Sequence, residues 1–344
     1  MFSEKHTTVE REIAMKRVLV TGGSGFIGTN VVESFLATMD EVLSIDIQDP
    51  QNKKHNKVFK RVDILDKRLL EGIFKDFAPT HVVHLAARTD LHEKRSLEGY
   101  NTNIQGVRNM IDAICCQSSV CRCIFASTKL VCPTDYAVKS QDDYCPDTLY
   151  GQSKVMGEKI VKNSTTMQCD WCIVRPTSIW GPWCYIPYGK FFRMIAKGYY
   201  FHPGGVNPPK SFGYVGNTVF QIRKLLDADR EQINRKVLYL SDYEIFTIKD
   251  WADMISMKLR NKRIKIVPQA FVCLLAWGGD LLKLCGIKEP PFSSFRLRNM
   301  RADTTGIPLE PIKQITGPLP YSMEQGVEET IAWMLQVQKL LSKR

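Results

Sequence analysis

Tyr150 and Lys154 stand four residues apart in Tyr150-Gly151-Gln152-Ser153-Lys154. On a helix that spacing puts a phenol and an ammonium on one face. A tyrosine ordinarily gives up its proton near pH ~10, and a neighbouring cation favours the phenolate. Such a pair can take a proton from an alcohol hydroxyl while a hydride leaves the same carbon. Thr128 follows the apolar run Cys123-Ile124-Phe125-Ala126 by two residues, and its hydroxyl is placed to bond the same phenol oxygen and fix its direction. Taken alone, Tyr-x-x-x-Lys is common on solvated helix faces, so its meaning depends on the rest of the chain.

A departing hydride needs an acceptor, and the start of the chain offers a place for one. Val18, Leu19 and Val20 form an unbroken apolar run, as in a strand covered on both faces of a parallel sheet. Gly22, Gly25 and Gly28 follow at once, with Phe26 and Ile27 between the last two. Glycine there permits φ > 0 and lets a pyrophosphate approach the main chain. A helix starting near Gly25 then aims its free N–H groups at that phosphate. A second strand, Glu41 to Asp46, ends in an acid about 20 residues on, where a dinucleotide fold holds the adenosine ribose. Asp46 would repel a 2′-phosphate, which favours NAD over NADP. The nicotinamide cation would then join Lys154 in favouring the Tyr150 phenolate.

The same alternation continues. A third strand, Lys57 to Val62, runs into Asp63 and Ile64, with Asp63 facing the adenine amino group or else forming a turn. The fourth strand, His81 to Ala87, ends in Leu85, Ala86 and Ala87, across which the cofactor would lie. A helix from Tyr100 to Ile111 carries Asn103, and the fifth strand is Cys123 to Ala126. Strand and helix alternate without a break, which predicts an α/β fold, a Rossmann-type doubly wound parallel sheet. The organisation expected is a flexible tail over 1–15, an NAD(P)-binding Rossmann domain over 16–175, and a smaller lobe over 176–344 that binds substrate and returns some segments to the sheet. The lobe is marked by the loop Tyr199 to Gly205 and a last helix from Val327 to Leu341, capped by Ser322 with Gln325. His202 in that loop reads as exposed, and Ala270 to Trp277 as an amphipathic helix that packs on the core or touches a partner, core packing being favoured.

Bulk composition narrows the partners. The chain has 344 residues, 44% hydrophobic and 24% charged, with a net charge of +11, an ordinary globular composition. No basic run is interleaved with aromatics, so nucleic acid is not implied; an anionic small substrate or plain surface charge accounts for the excess. No apolar stretch is long enough for a membrane span. Among eleven cysteines, Cys169-x-x-Cys172 has zinc-like spacing, yet no second pair completes four ligands, and Cys172 sits in the apolar run Trp171 to Val174. No metal is expected. Free thiols without a signal peptide suggest a cytoplasmic protein.

These pieces stand in a familiar order: Thr21 to Gly28, Asp46, Asp63-Ile64, His84 to Ala87, Asn103, Phe125 to Thr128, Tyr150 to Lys154, and Arg175-Pro176-Thr177-Ser178-Ile179-Trp180-Gly181-Pro182. Over about 1–330 the chain resembles the extended short-chain dehydrogenases/reductases, in the NAD-dependent epimerase/dehydratase family. The resemblance implies that Tyr150 is the catalytic acid/base, that Lys154 binds ribose and tunes the phenol, and that Thr128 is the hydroxyl partner at the substrate. It further implies that Asn103 holds a relay water or the local geometry, and that Pro176 abuts the nicotinamide. Lys210, in Lys210-Ser211-Phe212-Gly213-Tyr214-Val215, occupies the place of an arginine that grips the substrate diphosphate, with Arg296 or Arg298 as a second phosphate contact. A homodimer through the helices Tyr100–Ile114 and Tyr150–Val161 is a family expectation.

The departures narrow the reaction. Family 4,6-dehydratases carry Asp-Glu after the threonine, where this chain has Lys129 and Leu130, which argues against dehydration. The usual Tyr-Gly is Cys132-Pro133, and Val215-Gly216-Asn217 resembles the 3β-hydroxysteroid dehydrogenase branch. The leading expectation is an NAD-dependent nucleotide-sugar epimerase or oxidoreductase acting at a ring carbon, C4 foremost. The alternatives are an NAD(P)H-dependent 4-keto-sugar reductase, a 3β-hydroxysteroid-type dehydrogenase, and a non-catalytic dinucleotide-binding regulator.

Overall fold

The computed structural model describes residues 15–341 apart from 92, 94, 206 and 285–293; the tail expected over 1–15 lies, but for Met15, outside them. The chain opens with β1 (Arg17–Thr21), α1 (Phe26–Leu36), β2 (Glu41–Asp46), β3 (Phe59–Arg61), α2 (Lys67–Phe77), β4 (His81–His84), α3 (Asn101–Cys115), β5 (Arg122–Ala126), α4 (Leu149–Lys162) and β6 (Asp170–Pro176). It continues through β7 (Ser178–Trp180), α5 (Lys190–Ala196), β8 (His202–Pro203), β9 (Pro209–Lys210), β10 (Phe212–Tyr214), α6 (Val215–Asp227), α7 (Arg230–Ile233) and β11 (Lys236–Leu240). The last part holds β12 (Phe246–Thr247), α8 (Ile248–Arg260), β13 (Ile266–Val267), α9 (Gln269–Leu284), α10 (Ser294–Arg301), α11 (Glu310–Thr316) and α12 (Met323–Leu341).

Seven strands form one parallel sheet in the order β11-β6-β5-β4-β1-β2-β3. The order reverses between β1 and β4, so the crevice beyond their carboxyl ends is where a ligand of a doubly wound sheet belongs. Alternation along β1 explains the burial on both faces: Val18 and Val20 enter one core, Leu19 the other. The lobe's Trp180, Phe192 and Trp251 join the first of these cores, so lobe and sheet share one hydrophobic interior. Cys172 packs there too.

Several expectations change in detail. Lys57 and Val58 belong to a 3₁₀ turn, Lys53–Val58, that Asn52 caps at the Lys54 N–H, so β3 is three residues long. The fourth strand ends at His84; Leu85 still donates its N–H to the Thr21 carbonyl at 3.1 Å, while Ala86 and Ala87 leave the ladder. His202 is not exposed: it lies in β8, 3% accessible, with Nε2 3.3 Å from Asp253 Oδ1. The segment Ala270 to Trp277 is helical, as α9, but it does not bury its apolar residues in the core; only Val272 and Ala276 are buried. The last helix starts four residues earlier than expected, at Met323, behind the expected cap. Ser322 N–H donates to Gln325 Oε1 at 2.8 Å, and Gln325 N–H to Ser322 Oγ at 3.2 Å.

Candidate active site

The glycine turn is held between the ends of β2 and β4. Gly22 takes φ +72°, and a Cβ there would lie 2.6 Å from the Ala86 nitrogen. A Cβ on Gly28 would come within 2.1 Å of the Gly22 carbonyl oxygen, so α1 can leave the turn this tightly only from a glycine. Gly25 is the N-cap of α1 and no side chain caps it, which leaves the first N–H groups, those of Phe26 and Ile27 among them, for an anion. Asp46 closes the same corner: Oδ2 accepts the Ser24 N–H at 3.1 Å and Oδ1 the Gln48 N–H at 3.0 Å. Each carboxylate oxygen keeps a lone pair for a diol.

Across the crevice, Thr21 Oγ1 lies 2.7 Å from His84 Nδ1 and accepts the Ala86 N–H at 3.2 Å. Burial, with the Lys154 charge added, pushes His84 down to about 3, so this imidazole is neutral. Asp63 is exposed, and its Oδ1 accepts the Leu65 N–H at 2.9 Å; the acid forms a turn there. Ile64 is buried against Gly106, where a Cβ would stand 2.5 Å from Ile64 Cδ1.

Asn103 is buried and bonds both backbone groups of Arg88, accepting its N–H at 2.8 Å and donating to its carbonyl at 2.9 Å. The same amide donates to Ser153 Oγ at 2.9 Å, and Ser153 donates to the Tyr150 carbonyl at 2.7 Å. Asn103 therefore sets local geometry, locking α3, the segment after β4 and helix α4 together. Thr148 caps α4 by accepting the Gly151 N–H at 3.0 Å.

Tyr150, Lys154 and Glu158 follow one face of α4 at successive turns, all buried. The Tyr150 phenol hydrogen-bonds Thr128 and lies beside Tyr100, the ring centroids 6.1 Å apart. Lys154 donates to the Ala126 carbonyl at 2.9 Å. Burial pushes the phenol up to about 12, against the pull of Thr128, and Tyr100 adds to the rise. From the sequence, Lys154 and a nicotinamide cation together are expected to favour the phenolate; in the chain by itself desolvation wins and holds Tyr150 as a phenol. Burial also pushes Lys154 down to about 8, with Glu158 opposing. Glu158 meets Arg175 through two bonds of 2.8 Å, and Arg175 also donates to Tyr239 at 2.9 Å and to the Gln141 carbonyl at 2.9 Å.

The expected diphosphate cations are placed unequally. Lys210 is buried and donates to the carbonyls of Asn299, at 2.8 Å, and Ala302. Its ammonium anchors the end of α10 rather than standing open to an anion, a correction to its expected role. Arg298 is exposed on α10, and the Arg296 side chain lies outside the described ones. Pro176 ends β6, paired with Leu240 of β11. Lys129, in the place of the dehydratase acid, was flagged by the pattern but not for its contact: it is buried, donates to the Thr304 carbonyl at 2.7 Å, and is pushed down to about 8 by burial and then by Lys210. His84, Ser153 and the Glu158–Arg175 pair were not singled out, since each acts by contacts between distant segments.

The residues fit a dinucleotide. The start of α1 is open to an anion, Asp46 is fixed at the end of β2, and beyond β5 the buried Ser127 Oγ has no hydrogen-bond partner. The NAD dependent epimerase/dehydratase family model matches residues 18–237. The UDP-glucose 4-epimerase of Vibrio cholerae is 30% identical over 196 residues, 53% of this chain and 58% of that one, so the match spans little more than half of the relative. The N-acetyl-alpha-D-glucosaminyl-diphospho-ditrans,octacis-undecaprenol 4-epimerase of Escherichia coli O157:H7 is 26% identical over 92% of this chain and 94% of its own length. Among solved structures, the UDP-glucose 4-epimerase of Thermotoga maritima with UDP-glucose superposes with a TM-score of 0.72 at 20% identity, covering 93% of this chain and 99% of that one. That likeness establishes the shared fold.

Proposed function

This chain belongs to the NAD dependent epimerase/dehydratase family, and we propose that it inverts C4 of a nucleotide-diphosphate sugar, with NAD kept in place through the cycle. The observation that carries this reading is the buried trio of Tyr150, Thr128 and Lys154 at the strand ends beside the crevice. Bound NAD would supply the redox chemistry, as the hydride acceptor and donor at the carbinol carbon. Tyr150 Oη takes the hydroxyl proton as the carbonyl forms and gives it back when the alcohol is restored. Thr128 orients that oxygen. Lys154, fixed to Ala126, contributes positive charge beneath the phenol and a donor toward ribose. A nicotinamide cation held beside Tyr150 would favour its phenolate against the burial that raises the phenol's pKa, which would couple proton removal to cofactor binding.

Asp46 supports NAD over NADP, because a 2′-phosphate would meet a carboxylate already fixed by Ser24 and Gln48. Lys129 and Leu130 in place of an acid pair speak against dehydration. The test is to incubate the purified protein with UDP-glucose, UDP-N-acetylglucosamine and UDP-glucuronic acid separately, without added reductant, and separate the products by chromatography. A C4 epimer from one of them, absent with Tyr150→Phe, supports the proposal. A product formed only when NADPH and a keto sugar are added would replace it with a reductase.

A further inference from the structure

Among its described side chains, helix α9 turns outward a face without charge. Phe271, Leu274 (63% accessible), Trp277 (72%) and Leu281 (62%) stand exposed, flanked by Leu275 and Leu282. Inward, Val272 and Ala276, with the partly buried Cys273, pack against Leu297 and the partly buried Phe201 and Val267. A surface helix of a globular protein ordinarily carries its polar residues on the solvent side, and a contiguous exposed apolar patch marks a partner. The 16 described residues of α9 span about 24 Å; among the described residues no helix is long and apolar enough to cross a membrane, and this length suits lying in the plane of a bilayer interface.

The surrounding charge selects the partner. Lys262, Arg263 and Lys265 are exposed in the segment that leads through the exposed Ile266 to the start of α9, and Arg298 is exposed on α10, which packs on α9. Among the described residues of 261–301 no carboxylate is exposed. Asp280 is partly buried and accepts the Ser294 N–H at 3.2 Å. Asp253, the acid next to this segment, is occupied by His202, Lys249 and the Ile264 N–H. A second copy docked on the same face would set these cations against themselves, which like-charge repulsion disfavours. A bilayer with anionic headgroups complements both features at once.

We propose that α9 is a membrane-surface contact, seated in the headgroup boundary of an anionic bilayer, with Lys262, Arg263, Lys265 and Arg298 on lipid phosphates. Asn299 of α10 and Ala302 just after it hold the Lys210 ammonium through their carbonyls, which ties α10 to β9. The membrane contact stands independently of the epimerase reading.

The experiment is flotation of the full chain with vesicles of phosphatidylcholine alone or mixed with phosphatidylglycerol. The protein is expected to float with the mixed vesicles and to be released by salt. Leu274→Glu with Trp277→Glu, and separately Lys262→Glu with Lys265→Glu, should each weaken binding roughly tenfold or more, with circular dichroism unchanged. Wild-type protein that stays unbound on the mixed vesicles overturns the proposal. So do variants that float as well as the wild type. A dimer in sedimentation that Leu274→Glu with Trp277→Glu splits, without any flotation, overturns it in favour of self-association.

Discussion

Lys154 donates its ammonium to the Ala126 carbonyl at 2.9 Å, and through that bond helix α4 is fixed to the end of β5. Two residues past Ala126 comes Thr128, whose hydroxyl meets the phenol one turn back along the helix, that of Tyr150. The pairing of strand end and helix face is what turns a common tyrosine–lysine spacing into a site. Glu158, a further turn along, and Arg175 on β6 clamp the other end of the same face.

Tyr150→Phe removes the proton acceptor and keeps the ring's packing. We expect turnover to fall by about a hundredfold to ten-thousandfold, the range typical of a positioned acid/base group. NAD binding and the melting temperature should change little. Steady-state kinetics beside a binding titration check this; a variant with full turnover would remove Tyr150 from the mechanism.

Lys154 should leave a pH signature on stability. Its pKa is near 10.5 in an unfolded chain and is pushed down to about 8 in the fold. Between those values the unfolded chain binds more protons, so this lysine's contribution to stability rises with pH; its cost is greatest below pH 8 and is gone above 10.5. Melting temperatures of the wild type minus those of Lys154→Met should therefore increase across that window. A flat difference would mean that Lys154 is not desolvated.

The Glu158–Arg175 pair is fully enclosed, so removing one partner strands the other's charge. Arg175→Met should destabilise the fold by about 3–5 kcal/mol, measured by denaturant unfolding. Adding Glu158→Gln to that variant should recover part of the loss, because the stranded charge is gone.

On the proposed reading, Asp46 sets the coenzyme preference. Asp46→Ser removes the carboxylate that faces a 2′-phosphate, so NADP should bind better relative to NAD, by about tenfold for each 1.4 kcal/mol of repulsion relieved. Fluorescence titration with NADH and NADPH reads the ratio, and an unchanged ratio would place the ribose elsewhere.

Much of the fold was legible because local signals agreed with the global arrangement. Val18 to Val20, the glycines after them and Asp46 lie within one stretch of chain, and their pattern alone announces a parallel sheet with a turn under a helix. The shared helix face of Tyr150 and Lys154 was readable for the same reason. What stayed hidden depended on segments far apart in the chain. Lys210 looked like a phosphate ligand until the carbonyls of Asn299 and Ala302, some ninety residues on, were seen to hold it. The rise in the Tyr150 pKa was hidden as well, because burial is a property of the assembled core and not of the spacing between two residues. For helix α9 the favoured core packing does not hold, because its apolar residues suggest a core while its surroundings leave most of them outside.

The most direct test of the account follows deuterium placed at C4 of the UDP-sugar that the protein converts, with the product examined by proton NMR. A hydride taken and returned within one active site keeps the label on C4 of the epimer, with none lost to water, and this is the result predicted. Loss of the deuterium to solvent would mean that C4–H is removed as a proton, and the role assigned here to Tyr150, Lys154 and NAD would be contradicted.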